Sequence, residues 1–329
     1  MRESMTPHDQ LLIDIVARLR VRPSDRRELA AAVNLSPEQL DEAAAELRGF
    51  GYALDVAHDR IALTETPDRM IDTEILAGLQ TAIFARQLHC YGTIRSTNVR
   101  ARELAEAGAP DGTVVVAEQQ TGGIGRFGRP WHSAAGLGIW STVILRPPGP
   151  PEKVSGLSLL AGVVFAQTVE EELGLTVGLK WPNDGLIDGK KVIGILTELA
   201  TESGNVEYAV CGTGINVAHT ATDFPPELRE IAASLAMAKG EPVGRMAFYR
   251  AFLRRFDTHY RHFRNEGIGP FLSDYRDRSI LLGRDVTIQQ GKKTITGRAV
   301  AIDDSGALVI RSGSDDILVF SGEATLHPR

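Results

Sequence analysis

The chain has 329 residues, of which 43% are apolar and 24% charged, with a net charge of −6. That length exceeds one core and points to two or three domains. The acid excess excludes a global attraction to nucleic acid or anionic membrane and leaves only local patches. Cys90 and Cys211 have no metal-ligand spacing and fit reduced thiols in a cytoplasmic protein. Met1 to His8 contains no apolar signal region. The longest mostly apolar run, Leu157 to Val169, falls short of the ~20 residues that span a bilayer.

The first stretch predicts three short helices and a hairpin. Leu11, Leu12, Ile15, Val16 and Leu19 recur at helical spacing. Ser24 is placed to cap a second helix carrying Leu29 and Val33, ending near Asn34. Ser36-Pro37-Glu38-Gln39 is a capping box with proline at the first helical position, and Leu40, Ala43, Ala44 and Leu47 form an apolar face stopped by Gly49. Tyr52 to Val56 and Arg60 to Leu63 predict a hairpin about His58-Asp59. Together these read as a winged helix-turn-helix over residues 1–66. A helix that reads DNA normally shows phosphates a basic outer face. Here that face carries Glu38, Asp41, Glu42 and Glu46 against Arg48, and residues 1–66 contain no lysine. Arg18, Arg20, Arg22, Arg26 and Arg27 cluster at the other end. Operator binding and a vestigial or dimer-packing role both stay open, with the acids weighing against DNA.

Thr64 to Asp68 is a polar, proline-containing joint and the first boundary. Ile75 to Gln87 predicts a helix, Tyr91 to Ile94 a strand, and Ser96-Thr97-Asn98 the cap of a helix running to about Ala107. Thr113 to Ala117 is a strand leading into Gly122-Gly123-Ile124-Gly125-Arg126-Phe127-Gly128-Arg129-Pro130-Trp131. Gly123 to Gly128 fits G-x-G-x-x-G, but Arg129-Pro130 follows where a helix should open, and Arg146-Pro147-Pro148 stands where an acid is required. The context excludes a dinucleotide fingerprint. What remains is a glycine loop that lets backbone approach a ligand, with two arginines as forked donors.

Leu137 to Leu145 predicts a strand, and Ser158 to Leu173 a buried helix stopped by Gly174. Val177 to Lys180 leads into Trp181-Pro182-Asn183-Asp184. Asp188-Gly189 is a tight-hairpin signal between Gly185 to Ile187 and Val192 to Leu199. A turn over Thr201 to Asn205 leads to a further strand, Val206 to Gly212, giving an antiparallel sheet. A helix over Arg245 to Arg264 and the segment Phe271 to Tyr275 close this region. Beyond Arg276, short strands at Val286 to Gln289, Lys293 to Ile302, Ala307 to Arg311 and Ile317 to Phe320 suit a small β-barrel.

Ser96-Thr97-Asn98, the glycine-arginine loop, Lys180-Trp181-Pro182-Asn183-Asp184 and Lys191-Val192-Ile193-Gly194-Ile195-Leu196 occur in one order over about a hundred residues. In this the chain resembles the biotin protein ligases, most closely the bacterial bifunctional ligase and repressor type. One departure is plain: Ile124 stands where the family's loop has its first arginine. The resemblance implies an α+β fold: a winged helix at 1–66, a catalytic domain of the class II synthetase-like biotin/lipoate ligase type at 70–275, and an SH3-like barrel at 276–329. It implies ATP-dependent activation of biotin to biotinyl-5′-adenylate, then transfer to a lysine of a biotin carboxyl carrier domain, with Mg²⁺ on the phosphates. Biotin contacts carry over to Ser96, Thr97, Asn98, Gln120, Gly123, Ile124, Gly125, Arg126 and Lys191. Nucleotide contacts carry over to Arg126, Arg129, Trp131, Asn183 and Asn216, and Phe224 to Leu235 resembles the segment over the adenine. Lys191, Arg126 and Asp184 are the catalytic candidates, and no protein metal site is implied. Relatives end with Gly-Glu and a nearby arginine; here Ser321-Gly322-Glu323 is kept and His327 replaces the arginine. A homodimer is implied when the adenylate is bound, DNA is a doubtful partner, and no membrane is involved. A lipoate-type ligase and a biotin-responsive regulator without ligase activity are the alternatives.

Overall fold

The computed structural model describes residues 6–57, 59–154 and 156–327. Met1 to Met5, and His58 of the expected hairpin turn, lie outside the described residues.

The head begins with α1 (Pro7–Val21), capped by a reciprocal Thr6–Asp9 box. It continues through β1 (Ser24–Asp25), α2 (Arg26–Ala32), α3 (Pro37–Gly49), β2 (Ala53–Ala57) and β3 (Arg60–Glu65). Asp25, not Ser24, caps α2: its carboxylate accepts from Arg27 N–H and Glu28 N–H at 2.8 and 3.0 Å. Ser24 is unavailable because it pairs with Ile61 in a small sheet of order β1-β3-β2. The Ser36–Gln39 box forms as expected. Gly49 is the last residue of α3 rather than its stop, and the left-handed turn comes at Gly51 (φ 99°). Leu12, Ile15, Val16, Leu19, Leu40 and Leu47 pack into a core of their own.

The predicted helix over 75–87 does not form. Only α4 (Asp72–Leu76) is helical. Buried Asp257 accepts the N–H groups of Ala82, Ile83 and Phe84 at 2.7–2.9 Å, fixing a loop there and overriding local propensity. α4 joins head to centre. Its buried Glu74 takes Arg250 at 3.0 Å on one side and Arg20 of α1 on the other.

The centre is a mixed seven-stranded sheet of order β4-β5-β6-β10-β9-β8-β7. Its elements are β4 (Leu88–Ile94), α5 (Thr97–Glu106), β5 (Val114–Gln120), β6 (Gly138–Leu145), α6 (Pro151–Val154), α7 (Leu157–Leu173), β7 (Gly178–Lys180), β8 (Asp184–Ile187), β9 (Lys190–Glu202), β10 (Asn205–Asn216), α8 (Leu235–Lys239), α9 (Arg245–Glu266) and α10 (Leu272–Arg278). β4 and β5 are parallel and the other pairs antiparallel. The β8–β9 hairpin turns on Asp188 (φ 50°) and Gly189 (φ 78°), both left-handed, as an Asp-Gly turn demands. The β9–β10 turn is tighter than expected: β9 runs to Glu202 and Ser203-Gly204 alone reverses the chain. α7 is apolar nearly all round because it is buried between the sheet and α9.

The terminal sheet, order β14-β13-β12-β11-β15, comprises β11 (Asp285–Gln290), β12 (Lys293–Ile302), β13 (Leu308–Ser312), β14 (Asp315–Val319) and β15 (Glu323–Leu326). β15 has too few residues to show an alternation and was not predicted. Val286, Ile288, Ile310 and Ala324 are continuous with the central core, so this sheet is packed on the centre.

Candidate functional site

The site sits where α5, the β5–β6 loop and the glycine-bearing middles of β9 and β10 converge. The expected side-chain cap by Ser96 is absent, although Ser96 does occupy the N-cap position of α5. The first helical residues are instead turned onto the sheet. Thr97 N–H donates to Gln120 Oε1 at 2.8 Å and Gln120 Nε2 to Ser133 Oγ at 2.9 Å. Thr142 Oγ1 lies 2.8 Å from Thr97 Oγ1 and 2.7 Å from Asn98 Oδ1. Asn98 Nδ2 donates to Glu198 at 2.9 Å. A Cβ at Gly212 would overlap Asn98 Oδ1, so that position admits only glycine. These groups form a polar floor with its donors and acceptors matched.

Trp131 lies across this floor. Gly194 and Gly214 are register partners on β9 and β10. A Cβ at Gly194 would come 2.8 Å from the indole, and one at Gly214 would collide with it. The indole N–H is buried without a partner. The Lys191 ammonium stands 5.1 Å from the centre of the same ring and 2.7 Å from Asp184 Oδ1. Its backbone is pinned by Lys191 N–H to Ile231 C=O at 2.8 Å and Ala233 N–H to Lys191 C=O at 3.0 Å. Asn216 reaches the same segment from behind, donating to Ala233 C=O at 3.1 Å. The cavity enclosed by Thr97, Gln120, Trp131 and Lys191 is about 50 Å³.

The loop is a closed excursion. Ile124 and Pro130 bridge, and Gly125 N–H bonds Arg129 C=O at 2.8 Å. Phe127 (φ 59°) and Gly128 (φ 73°) turn its tip. Ile124 and Phe127 are 45% and 61% exposed, so neither is part of a core. Arg126 points inward, bonding Asn183 Oδ1 at 3.3 Å and Gly322 C=O at 3.1 Å. Burial pushes its guanidinium below the ordinary arginine value. Arg129 points the other way, forking onto Glu323 of the terminal sheet with both contacts at 2.5 Å. That fork holds the Glu323 carboxyl below its usual range. Arg126, Arg129, Lys180 and Lys191 line a second cavity of about 80 Å³.

A wall of rings stands behind. His219 is 1% exposed, stacks on Phe224 at 4.6 Å and lies 6.1 Å from Trp140 and 6.2 Å from His132. Neither ring nitrogen has a hydrogen-bond partner. Burial, with His132 nearby, pushes its pKa down to about 4. The segment after it is a loop with two short 3-10 turns, and α8 begins only at Leu235.

Residues 91–216 match the Biotin/lipoate A/B protein ligase family, and residues 281–325 the Biotin protein ligase C terminal domain. The chain is 37% identical to the Bifunctional ligase/repressor BirA of Bacillus subtilis over 85% of its own length and 87% of that protein's. This chain belongs to the biotin protein ligase family. It is also 34% identical to the Biotin--[acetyl-CoA-carboxylase] ligase of Mycobacterium tuberculosis, over 72% of this chain and 88% of that one. The structure of the biotin protein ligase from Aquifex aeolicus in complex with biotin and ATP superposes with a TM-score of 0.63 at 28% identity, covering 74% of this chain and all of that one.

Of the residues carried over from the family pattern, Thr97, Asn98, Gln120, Gly125, Trp131, Asn183 and Lys191 line one cavity. Arg126, Arg129 and Asp184 line the neighbouring one. Gly123 packs under the loop, where a Cβ would meet Ser133 Oγ and Trp131 C=O at 2.7 Å. Ser96 is buried beside the floor, while Ile124 faces outward and Asn216 acts from behind Lys191. Sequence reading missed Ser133, Thr142 and Glu198, which complete the floor. Thr142 and Glu198 are ordinary strand residues and Ser133 an ordinary loop serine, and none of the three carries a local sequence signal. Among the described residues no cluster of three or more His, Cys, Asp or Glu side chains is placed to hold a metal, and no helix is long and apolar enough to cross a membrane.

Proposed function

We propose that this protein is an ATP-dependent biotin protein ligase. Biotin's carboxylate oxygen attacks the α-phosphorus of ATP, pyrophosphate leaves, and biotinyl-5′-adenylate forms. The amine of a carrier lysine then attacks the acyl carbon, AMP departs with the electron pair, and the amine proton is lost. The observation that carries this reading is the Lys191 ammonium, held 2.7 Å from Asp184 and over Trp131 at the end of a polar floor. A ureido ring needs both donors and acceptors, which Thr97, Asn98 and Gln120 offer.

Placement supports a part for each residue in this reading. Lys191 and Arg126 offset the charge that accumulates when a carboxylate meets a triphosphate, an electrostatic and positioning role. Asp184 orients Lys191 in the first step and receives the incoming ammonium in the second. Gly123, Ile124 and Gly125 pass along biotin with Ser96 at the floor's edge. Arg129, Trp131, Asn183 and Asn216 serve the nucleotide. The donor set suits Mg²⁺ only as a companion of the triphosphate, since that ion keeps waters and phosphate oxygens and needs few protein ligands.

The three sheets support a division into a winged-helix domain at 1–66, a catalytic domain at 70–275 and a barrel domain at 276–329. The protein acts in the cytoplasm, on the carboxyl carrier of acetyl-CoA carboxylase, and pairs with a second copy when adenylate is bound. Specific DNA binding by the head is weak: Arg26, part of its arginine cluster, is already engaged by Asp41 of α3.

ATP-dependent incorporation of labelled biotin into a purified biotin carboxyl carrier domain, beside a lipoyl domain with lipoate, tests the reading. Biotin transfer with no lipoate transfer is the expected result. Lipoate transfer, or neither, overturns it.

A further inference from the structure

Next to the cationic cavity, on the far side of Asn183, lies a larger one of about 300 Å³ that the chemistry above leaves unused. It opens between the start of α7, β9 and the terminal sheet. Its apolar wall is Val154, Leu159, Leu199 and Phe320. Arg126 is the one charged lining residue, and it is spoken for by Asn183 and Gly322. The Trp181 indole is likewise committed, donating to Gly306 C=O at 3.0 Å. Among the described residues no uncommitted cation lines the cavity to hold a phosphate or carboxylate. The space equals about ten waters' share of liquid volume, or one or two apolar side chains.

Two rim residues are out of place for an ordinary surface. Phe320, just after β14, is 66% exposed and Leu199 of β9 is 40% exposed, and both face one opening. A large apolar pair at the mouth of a cavity whose lining cation is already engaged marks a contact site. Arg126 and Asn183 line this cavity and also the one holding Lys191 and Asp184, so the two adjoin. A protein that delivers an amine to Lys191 and Asp184 can lay its chain across that shared rim.

We infer that this cavity is the docking slot for the carrier domain, receiving an apolar side chain adjacent to the acceptor lysine. The inference rests on the ligase reading above. The slot sets the carrier's register by burying a neighbour of the lysine, while the lysine itself passes Asn183 to the reacting carbonyl. It takes no part in making the adenylate.

The test uses the full-length protein, the biotin carboxyl carrier domain of acetyl-CoA carboxylase, and the variants Phe320→Asp, Leu199→Asp and Phe320→Leu. Three rates are measured: biotin-dependent pyrophosphate release without carrier, acyl transfer to hydroxylamine, and biotinylation of the carrier. Both aspartate variants are expected to raise KM for the carrier at least tenfold, with kcat within twofold. Pyrophosphate release and hydroxylamine transfer stay unchanged, and Phe320→Leu restores the carrier KM. Aspartate placed beside the acceptor lysine in the carrier should give the same rise, less than additive with Phe320→Asp because both act at one contact. An unchanged carrier KM, or a parallel fall in hydroxylamine transfer, overturns the slot. Wild-type protein that releases no pyrophosphate with biotin would instead overturn the ligase reading.

Discussion

On the floor of the pocket, Thr97, Asn98, Gln120, Ser133 and Thr142 exchange neutral hydrogen bonds mostly out of water. Across the same space, the glycine-rich loop is held through Arg126 and Arg129, which reach to the terminal sheet. The Arg129–Glu323 side chains are 63% and 37% exposed. Matched buried hydrogen bonds are costly to break, whereas an exposed ion pair is worth about 0–1 kcal/mol and weakens with salt. The floor is therefore built before ligand arrives, and the Arg129–Glu323 tie of the loop is the cheaper of the two to release. On the proposed reading, recognition would belong to the rigid part and retention of the intermediate to the releasable part.

Lys191 stands between the two regions, and its loss should have the largest effect. Lys191→Ala is expected to slow biotin-dependent pyrophosphate release by about 10²–10³-fold, as for other single electrostatic donors, with biotin binding less affected. An unchanged rate would remove Lys191 from the chemistry.

The floor is next. Gly212→Ala forces a methyl into Asn98 and breaks its contacts with Thr142 and Glu198. Overpacking of this kind costs about 1–3 kcal/mol, so biotin affinity should fall roughly 10–100-fold by calorimetry. Salt should not restore it. A silent Gly212→Ala would mean that the floor is as yielding as the loop.

The ring wall separates the regions by pH. His219 has a folded pKa of about 4, below its ordinary value, so the folded protein binds fewer protons than the unfolded chain between that pH and roughly 6.5. Stability is complete above that window and is lost as pH falls through it, by about 1–3 kcal/mol. Urea unfolding from pH 4 to 7 should show this slope in the wild type and a reduced one in His219→Phe. Equal slopes would place the acid sensitivity elsewhere.

The smallest effect belongs to the loop. Ile124 is exposed and donates nothing, where a charged hydrogen bond would be worth about 1.5–3 kcal/mol, part of which apolar contact with biotin's tail would return on the proposed reading. Ile124→Arg should slow adenylate release several-fold in a filter assay, while added salt speeds release from the wild type. A rate unchanged or raised by Ile124→Arg makes the isoleucine a neutral replacement.

The loop was the most legible stretch because glycines, arginines and Pro130 declare themselves locally, and so did the capping boxes and the Asp188-Gly189 turn. The predicted helix over 75–87 failed because the decisive group, Asp257, lies more than 170 residues away and supplies three acceptor contacts no local pattern reveals. Ser133, Thr142 and Glu198 escaped for a related reason: a loop serine and two ordinary strand residues become a polar floor only once β6, β9 and β10 are in register. Ser24 was mistaken for a cap because its strand partner, Ile61, sits beyond a helix-turn-helix.

The shared carboxylate of Glu74 has a consequence for anyone who shortens this protein. It is buried and draws one cation from each side, Arg20 from α1 and Arg250 from α9. Cutting after Glu65 leaves the acid with half its neutralisation and strips the apolar cover that the first core gives Ile71, Leu76 and Ala77. The remaining piece inherits a wet scar at the foot of α9, the helix whose Arg245 braces Glu118 just before the loop. A headless ligase is thus a different enzyme from the whole one with a part missing, and a loss of activity on trimming says nothing by itself about DNA.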